Sequence, residues 1–292
     1  MPDWVAAPLG EYYLYFADHK GSYIRLAYAD DLKGSWMVHP PGSLQLADSL
    51  FLTEPPDAPQ EAVEEIKKQR LASSGPETMQ HDILTELTTP HIASPDVHVD
   101  TVDEAIVMYF HGLEGLGRQV TRVATSPDGI HFTAQPDIFS RSCLRAFTND
   151  GHTYALVMPG RVYRFTDGQY PLEEGPLLFN KDIRHSALLK KGDSLHVFWS
   201  QVGDVPERIL MSTIDLSVDW REWRETESIE VLCPERPWEG ASAPLEPSVW
   251  SVAYGNVNQL RDPSIFSEDD RNYLLYSVAG ENGMGIAEIE LP

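Results

Sequence analysis

The 292 residues carry 45 acidic and 22 basic side chains, a formal net charge of -23. Such a field repels phosphate backbones and anionic lipid, which excludes nucleic acid and membrane surfaces as expected partners and leaves neutral or cationic small molecules and sugars. No run approaches the roughly 20 apolar residues of a transmembrane helix, and "MPDWVAAPLG" lacks the basic and apolar regions of a signal peptide. Two isolated cysteines, Cys143 and Cys233, make neither a disulfide framework nor a zinc site, so a cytoplasmic chain is expected.

The first strand signal is "YYLYFADH" from Tyr12, followed by "YIRLAYADD". Both are rich in β-branched and aromatic residues and end in turn residues. Nothing before Tyr12 reads as a full strand. "MPDWVAAPLGE" resembles the tail of one, and an N-terminus trimmed relative to its relatives is expected.

Residues 40–89 then interrupt the pattern. Within them "DAPQEAVEEIKKQRLASSG" predicts a helix. Asp57 is its expected cap, with Gln60 at the third position. Glu61, Glu64 and Glu65 come early, Lys67, Lys68 and Arg70 late, and Gly75 follows the end.

From residue 94 a unit of three strands recurs. "SPDVHVD", "CLRAFTND", "SALLKKGD" and "DPSIFSEDD" each lead into an apolar strand: "AIVMYFHG", "TYALVMPG", "LHVFWSQV" and "YLLYSVAG". A third strand follows each. The first leading strands start about 45 residues apart, the repeat length of a propeller blade. Five units, the first without its leading strand, predict an all-β, five-bladed β-propeller with a helical insertion after the first blade. The whole chain, 1–292, is expected to be one domain with the insertion at about 40–89. A two-sheet sandwich explains the strands but not their grouping in threes.

"DVHVD" places Asp96, His98 and Asp100 on one face of a strand and Val97 and Val99 on the other. That face is open to three readings: solvent, a metal site, or an active-site aspartate with a histidine neighbour. A leading strand lines a propeller's channel, which favours the third. A structural metal ion in the channel, leaned on by His98, stays open. No cofactor is required.

"SPDVHVDTVDEAIVMYFHG", "DLKGSW" after the first blade and "RDPSIFSEDDRNYLLYS" resemble glycoside hydrolase family 43. The resemblance covers most of the chain apart from 40–89. It implies an inverting hydrolase with an aspartate base, a pKa-tuning aspartate and a glutamate acid. One carboxyl must stay protonated to donate, and another ionised to activate water, roughly 6.5–9.5 Å away. Asp96 matches the tuning aspartate. The base belongs to the leading strand missing from blade one, so no residue takes that role by motif; Asp3 and Asp18 are substitutes. Glu174-Gly175-Pro176 has the acid's wording, but Arg184-His185-Ser186 has its context, so His185 is preferred as proton donor.

Other candidates have bland counterparts. Glu239 and Glu246, on the Pro-rich connection before the last blade, are either the missing carboxylate or solvated loop charges. Arg261 and Asp262 either hold sugar hydroxyls or form a structural ion pair. Arg184 and Arg208 join them as candidate substrate-binding residues, as does His98. Trp4, Trp199, Trp238 and Trp250 either stack on sugar or pack in the core. "SPDGIHF" at 126–132 resembles a structural Asp-box turn and is assigned no chemistry. The expected function is glycosidic hydrolysis of an oligo- or polysaccharide. The alternatives are an inactive carbohydrate-binding or interaction propeller, and a lyase or phosphorylase on the same scaffold. Oligomeric state is not legible.

Overall fold

The computed structural model describes residues 1–74, 82–166 and 169–291. Gly75, the expected helix stop, lies outside them. Among the described residues the strands form five sheets in chain order, the five blades of the β-propeller expected from the repeat.

The first sheet holds β1 (Tyr12–Phe16), β2 (Tyr23–Ala29) and β3 (Met37–Gln45) in order, with no strand ahead of β1 among the described residues. The second holds β4 (Ile92–Asp100), β5 (Ala105–Gly115), β6 (Arg118–Ser126) and the short β7 (Thr133–Ala134) and β8 (Ser140–Arg141), both paired to β6. The third runs β9 (Leu144–Asn149), β10 (His152–Val157), β11 (Arg161–Thr166) and β12 (Gln169–Leu177). The fourth runs β13 (Ile183–Lys191), β14 (Ser194–Gln201), β15 (Ile209–Asp215) and β16 (Ile229–Leu232). The fifth is β17 (Arg261–Glu268), β18 (Arg271–Val278) and β19 (Gly283–Ile289).

The insertion starts later than the sequence suggested, because β3 extends through Gln45. Helix α1 (Gln60–Ser74) begins at the residue expected to be its third. Its first turn bonds Val63 N–H to the Pro59 carbonyl at 3.1 Å, so Asp57 stands ahead of the helix instead of capping it. A second helix, α2 (Ile83–Thr88), was not expected. Asp82 caps it by accepting from Thr85 N–H at 3.1 Å and from the Thr85 hydroxyl.

The chain divides into two compact units. Unit 1 comprises Met1–Ile66, Asp82–Leu144 and Thr166–Leu172. Its core gathers Ile24, Leu44, Phe51, Ile92, Met108, Phe110 and Phe132. Unit 2 comprises Lys67–His81, Arg145–Phe165 and Glu173–Pro292, and has two cores. Strand β14 separates them by simple alternation. Leu195, Val197 and Trp199 enter the core with Phe147, Tyr154 and Trp223, while Phe198 enters the core with Ile209, Leu274 and Tyr276. A strand with apolar residues on both faces is one packed between two neighbouring sheets, which explains "LHVFW", where His196 alone is polar. Trp199 is thus a core residue, and Trp238 is exposed.

Candidate functional site

Three leading strands share one irregularity. In β4, Ala93 pairs with His111 and Asp96 with Tyr109, three residues against two. The same bulge lies between Ile183 and Ser186 in β13 and between Arg261 and Ser264 in β17. A bulge adds one residue and re-aims the side chains around it. Ser94 and Asp262 each stand in the left-handed region, both with φ +50, and each precedes a proline. Proline donates no N–H to the ladder, which suits it to such a break. Non-glycine residues held there cost on the order of 1–3 kcal/mol and concentrate at functional sites.

In unit 2 the bulges of β13 and β17 bring His185 to Asp262. Imidazole Nδ1 faces carboxylate Oδ1, and the Ser277 hydroxyl donates to Oδ2 at 2.9 Å. The His185 side chain is 12% exposed and that of Asp262 34%, so the pair is enclosed yet reachable. Enclosure alone would raise the Asp262 carboxyl. The charge and hydrogen bond of His185, with Arg261 and Ser277, outweigh it and hold that carboxyl well below the usual carboxylate range. Such a pair orients an imidazole and stabilises its charged form, so its other nitrogen can give or take a proton.

Arg184 and Arg261 lie directly behind the pair, 3% and 1% exposed. Arg184 Nε forms an ion pair with Glu207 at 3.2 Å without a hydrogen bond, and its Nη atoms donate to the carbonyls of Val249 and Ser251. Arg261 Nε pairs in the same way with Glu207, at 3.2 Å, and its Nη atoms donate to Ser251 O, Glu281 and Gln259. Every guanidinium nitrogen has a protein oxygen within 3.2 Å, which makes these arginines supports of the pair and not its lining. Burial pulls the Arg184 guanidinium below its ordinary range, and Glu207 opposes that pull.

Two other candidates of this unit have contacts of their own. Arg208 pairs with Asp204 (3.1 Å) and Glu230 (2.9 Å), which outweigh its partial burial and raise its pKa. Glu239 is buried: its Oε2 accepts from the N–H groups of Glu235 and Arg236, both at 2.9 Å, and its Oε1 from Tyr276 O–H at 3.0 Å. That carboxylate closes a short 3₁₀ turn in a capping box. Glu174 lies within hydrogen-bond range of Tyr163 O–H, at 3.4 Å.

In unit 1, Asp96 and His98 share a face of β4 as the alternation required. Asp96 Oδ2 and His98 Nε2 are 2.7 Å apart, with the His98 ring edge-on to Tyr109. Val97 packs on the core, while Val99 is exposed. Asp100 belongs to the turn that follows, accepting from Val102 and Asp103 N–H. The Asp-box-like turn is formed as expected. Asp128 accepts from Ile130 N–H, His131 N–H and Ser126 O–H, while Gly129 O accepts from Tyr15 O–H. Among the described residues no three His, Cys, Asp or Glu side chains gather as ligands for a metal ion.

Glu207, Glu281, Ser251 and Ser277 were not foreseen. A glutamate between Pro206 and Arg208, just ahead of the apolar start of β15, was the one signal available for Glu207.

No protein-family model matches the chain. Among solved structures, the fold is similar to an endo-1,4-beta-xylanase from Bacteroides thetaiotaomicron, with TM-score 0.59 and 14% identity over 94% of this chain and 84% of that one. It is also similar to an exo-1,5-alpha-L-arabinanase from a bovine ruminal metagenomic library, with TM-score 0.56 and 12% identity over 100% and 96%. A third is a GH43 beta-xylosidase/alpha-arabinofuranosidase from a compost microbial metagenome, solved with xylotriose, with TM-score 0.56 and 12% identity over 93% and 80%. At these identities the likeness is one of fold. In sequence, the "Uncharacterized protein R118" of Acanthamoeba polyphaga mimivirus is 35% identical over 298 residues, which cover 96% of this chain and 76% of that protein. The chain is a five-bladed β-propeller and belongs to the family of mimivirus protein R118.

Proposed function

We propose that the chain hydrolyses a glycosidic bond of an oligo- or polysaccharide, with His185 and Asp262 as its proton-handling pair. The observation that carries this reading is their meeting at the bulges of β13 and β17, with two arginines behind them. The fold shared with a xylanase and an arabinanase supports a sugar as the substrate class.

In the proposed step, protonated His185 gives its proton to the glycosidic oxygen as the carbon–oxygen bond breaks and its electron pair moves to that oxygen. Asp262 holds the imidazole through Nδ1 and steadies its charge before transfer. Water attacks the anomeric carbon and loses its proton to a carboxylate. Asp96 keeps the tuning role that the family resemblance gives it. Arg261 and Arg184 act on the site through the pair, and His98 through Asp96.

A second reading is a carbohydrate-binding propeller without turnover: the likeness to the xylanase and arabinanase structures is one of fold, at 14% and 12% identity. A panel of aryl glycosides and of xylo-, arabino- and galacto-oligosaccharides separates the two. Release of aglycone or new reducing ends, lost in Asp262→Asn, supports hydrolysis. A thermal shift with no release supports binding alone.

A further inference from the structure

Glu207 has no exposed side-chain surface. Its Oε1 lies 3.2 Å from Arg184 Nε and accepts from the Ser200 hydroxyl at 2.8 Å. Its Oε2 lies 3.2 Å from Arg261 Nε. Its backbone forms a parallel bridge with Gln259, and its carbonyl accepts from Leu260 N–H at 2.9 Å, where the chain enters β17. Arg184 immediately precedes His185, and Arg261 immediately precedes Asp262. One carboxylate therefore stands within ion-pair distance of the neighbours of both members of the pair.

We propose that Glu207 is a positioning residue: by holding Arg184 and Arg261 on one carboxylate, it sets the spacing of the two bulges at which His185 and Asp262 meet. The physical need is local. Two guanidinium groups share this interior, and like charges at low dielectric repel strongly unless an opposite charge lies between them. Ser251 O accepts from both arginines, at 3.2 and 3.0 Å, but a neutral carbonyl does not cancel their repulsion. Glu281 lies 3.2 Å from Arg261 Nη1 and is partly exposed, whereas Glu207 is fully buried. Glu207 is the carboxylate between them, and Ser200 fixes its orientation. The charged groups around the pair are thus Arg184 on β13, Arg261 on β17, Glu207 ahead of β15 and Glu281 after β18.

The role rests on reading His185–Asp262 as part of the site, but its test does not use turnover. In full-length chain labelled with 15N-histidine, a low-field imidazole Nδ1 proton is expected for His185, assigned by its loss in His185→Gln and Asp262→Asn. Glu207→Gln is expected to abolish this signal while the His196 imidazole, beside the Thr213 hydroxyl in the same unit, keeps its shifts and reports that unit 2 is folded. A purely structural ion cluster would lower the melting temperature and leave the His185 proton in place. An unchanged His185 signal in folded Glu207→Gln overturns the proposal. Should that variant not fold, Glu207→Asp keeps the charge but is too short to hold both arginines, and Ser200→Ala frees the carboxylate. Weakening or a shift of the His185 proton is expected in each, and no change in either overturns the proposal. Loss of the signal in a chain that cleaves no sugar would remove the hydrolase reading and leave this one standing.

Discussion

His185 Nδ1 faces Asp262 Oδ1 across two β-bulges, and the Ser277 hydroxyl steadies the second carboxylate oxygen. A carboxylate that orients an imidazole acts with it as a unit, so the two are not expected to contribute additively. His185→Gln and Asp262→Asn are each expected to lower kcat on a cleaved oligosaccharide by about 100-fold or more, the range for general acid–base catalysis. The double variant is expected to be little worse than the poorer single one. Initial rates of reducing-end release check this, and multiplicative losses would contradict a joint role.

His91 is expected to make unit 1 sensitive to acid. Its side chain is buried, Nδ1 bonds the Thr89 carbonyl at 2.7 Å, and burial, with Lys20 and His111 nearby, pushes its pKa down to about 2. The unfolded chain binds a proton below about pH 6.5, while the folded chain does not. Stability is therefore full above that value and falls as pH drops, by about 1.4 kcal/mol per pH unit for one proton. His91→Asn can still donate to Thr89. It is expected to flatten the slope of urea-unfolding free energy between pH 6 and 4, and an unchanged slope would contradict the assignment.

The fold was legible because it rests on repetition. "LHVFW" and "YLLYS" are too apolar for one-sided strands, and their regular spacing predicts repeated sheets packed on one another; in unit 2, β14 feeds alternate residues to two cores. The alternation in "DVHVD" likewise placed Asp96 and His98 on one face. What stayed hidden was how side chains are spent. Nothing in "WEGASAP" says that Glu239 closes its own turn and takes the Tyr276 hydroxyl. Arg184 and Arg261 were expected against substrate, yet a buried glutamate about twenty residues from one and fifty from the other draws both behind the site. Long-range ion pairing has no local pattern, so only the bulges of the folded strands reveal it.

Glu239→Ala leaves two backbone N–H groups and the Tyr276 hydroxyl without their acceptor in a buried place. Each such loss costs about 1–3 kcal/mol, so the urea midpoint is expected to fall clearly at unchanged m-value. A midpoint within error of the parent would show that water replaces the carboxylate.

Asp128→Ala removes the acceptor at the centre of the 126–132 turn. Burial would raise this carboxyl, but hydrogen bonds from His131, Ile130 and Ser126 hold it well below the usual range. The stabilisation is present above the unfolded value of about 3.9 and lost as pH falls below it. The variant is expected to melt lower at pH 6, and the gap to narrow as pH falls below about 4. A gap of constant size from pH 6 to pH 2 would mean that the turn depends on packing and not on the carboxylate.

The most direct measurement is product analysis: incubate the full chain with xylo-, arabino- and galacto-oligosaccharides and follow new reducing ends by chromatography, beside Asp262→Asn. The expected result is shortened oligosaccharides from at least one series, absent with the variant. Oligosaccharides that bind and are recovered intact, or cleavage that Asp262→Asn leaves untouched, would contradict hydrolysis by the His185–Asp262 pair.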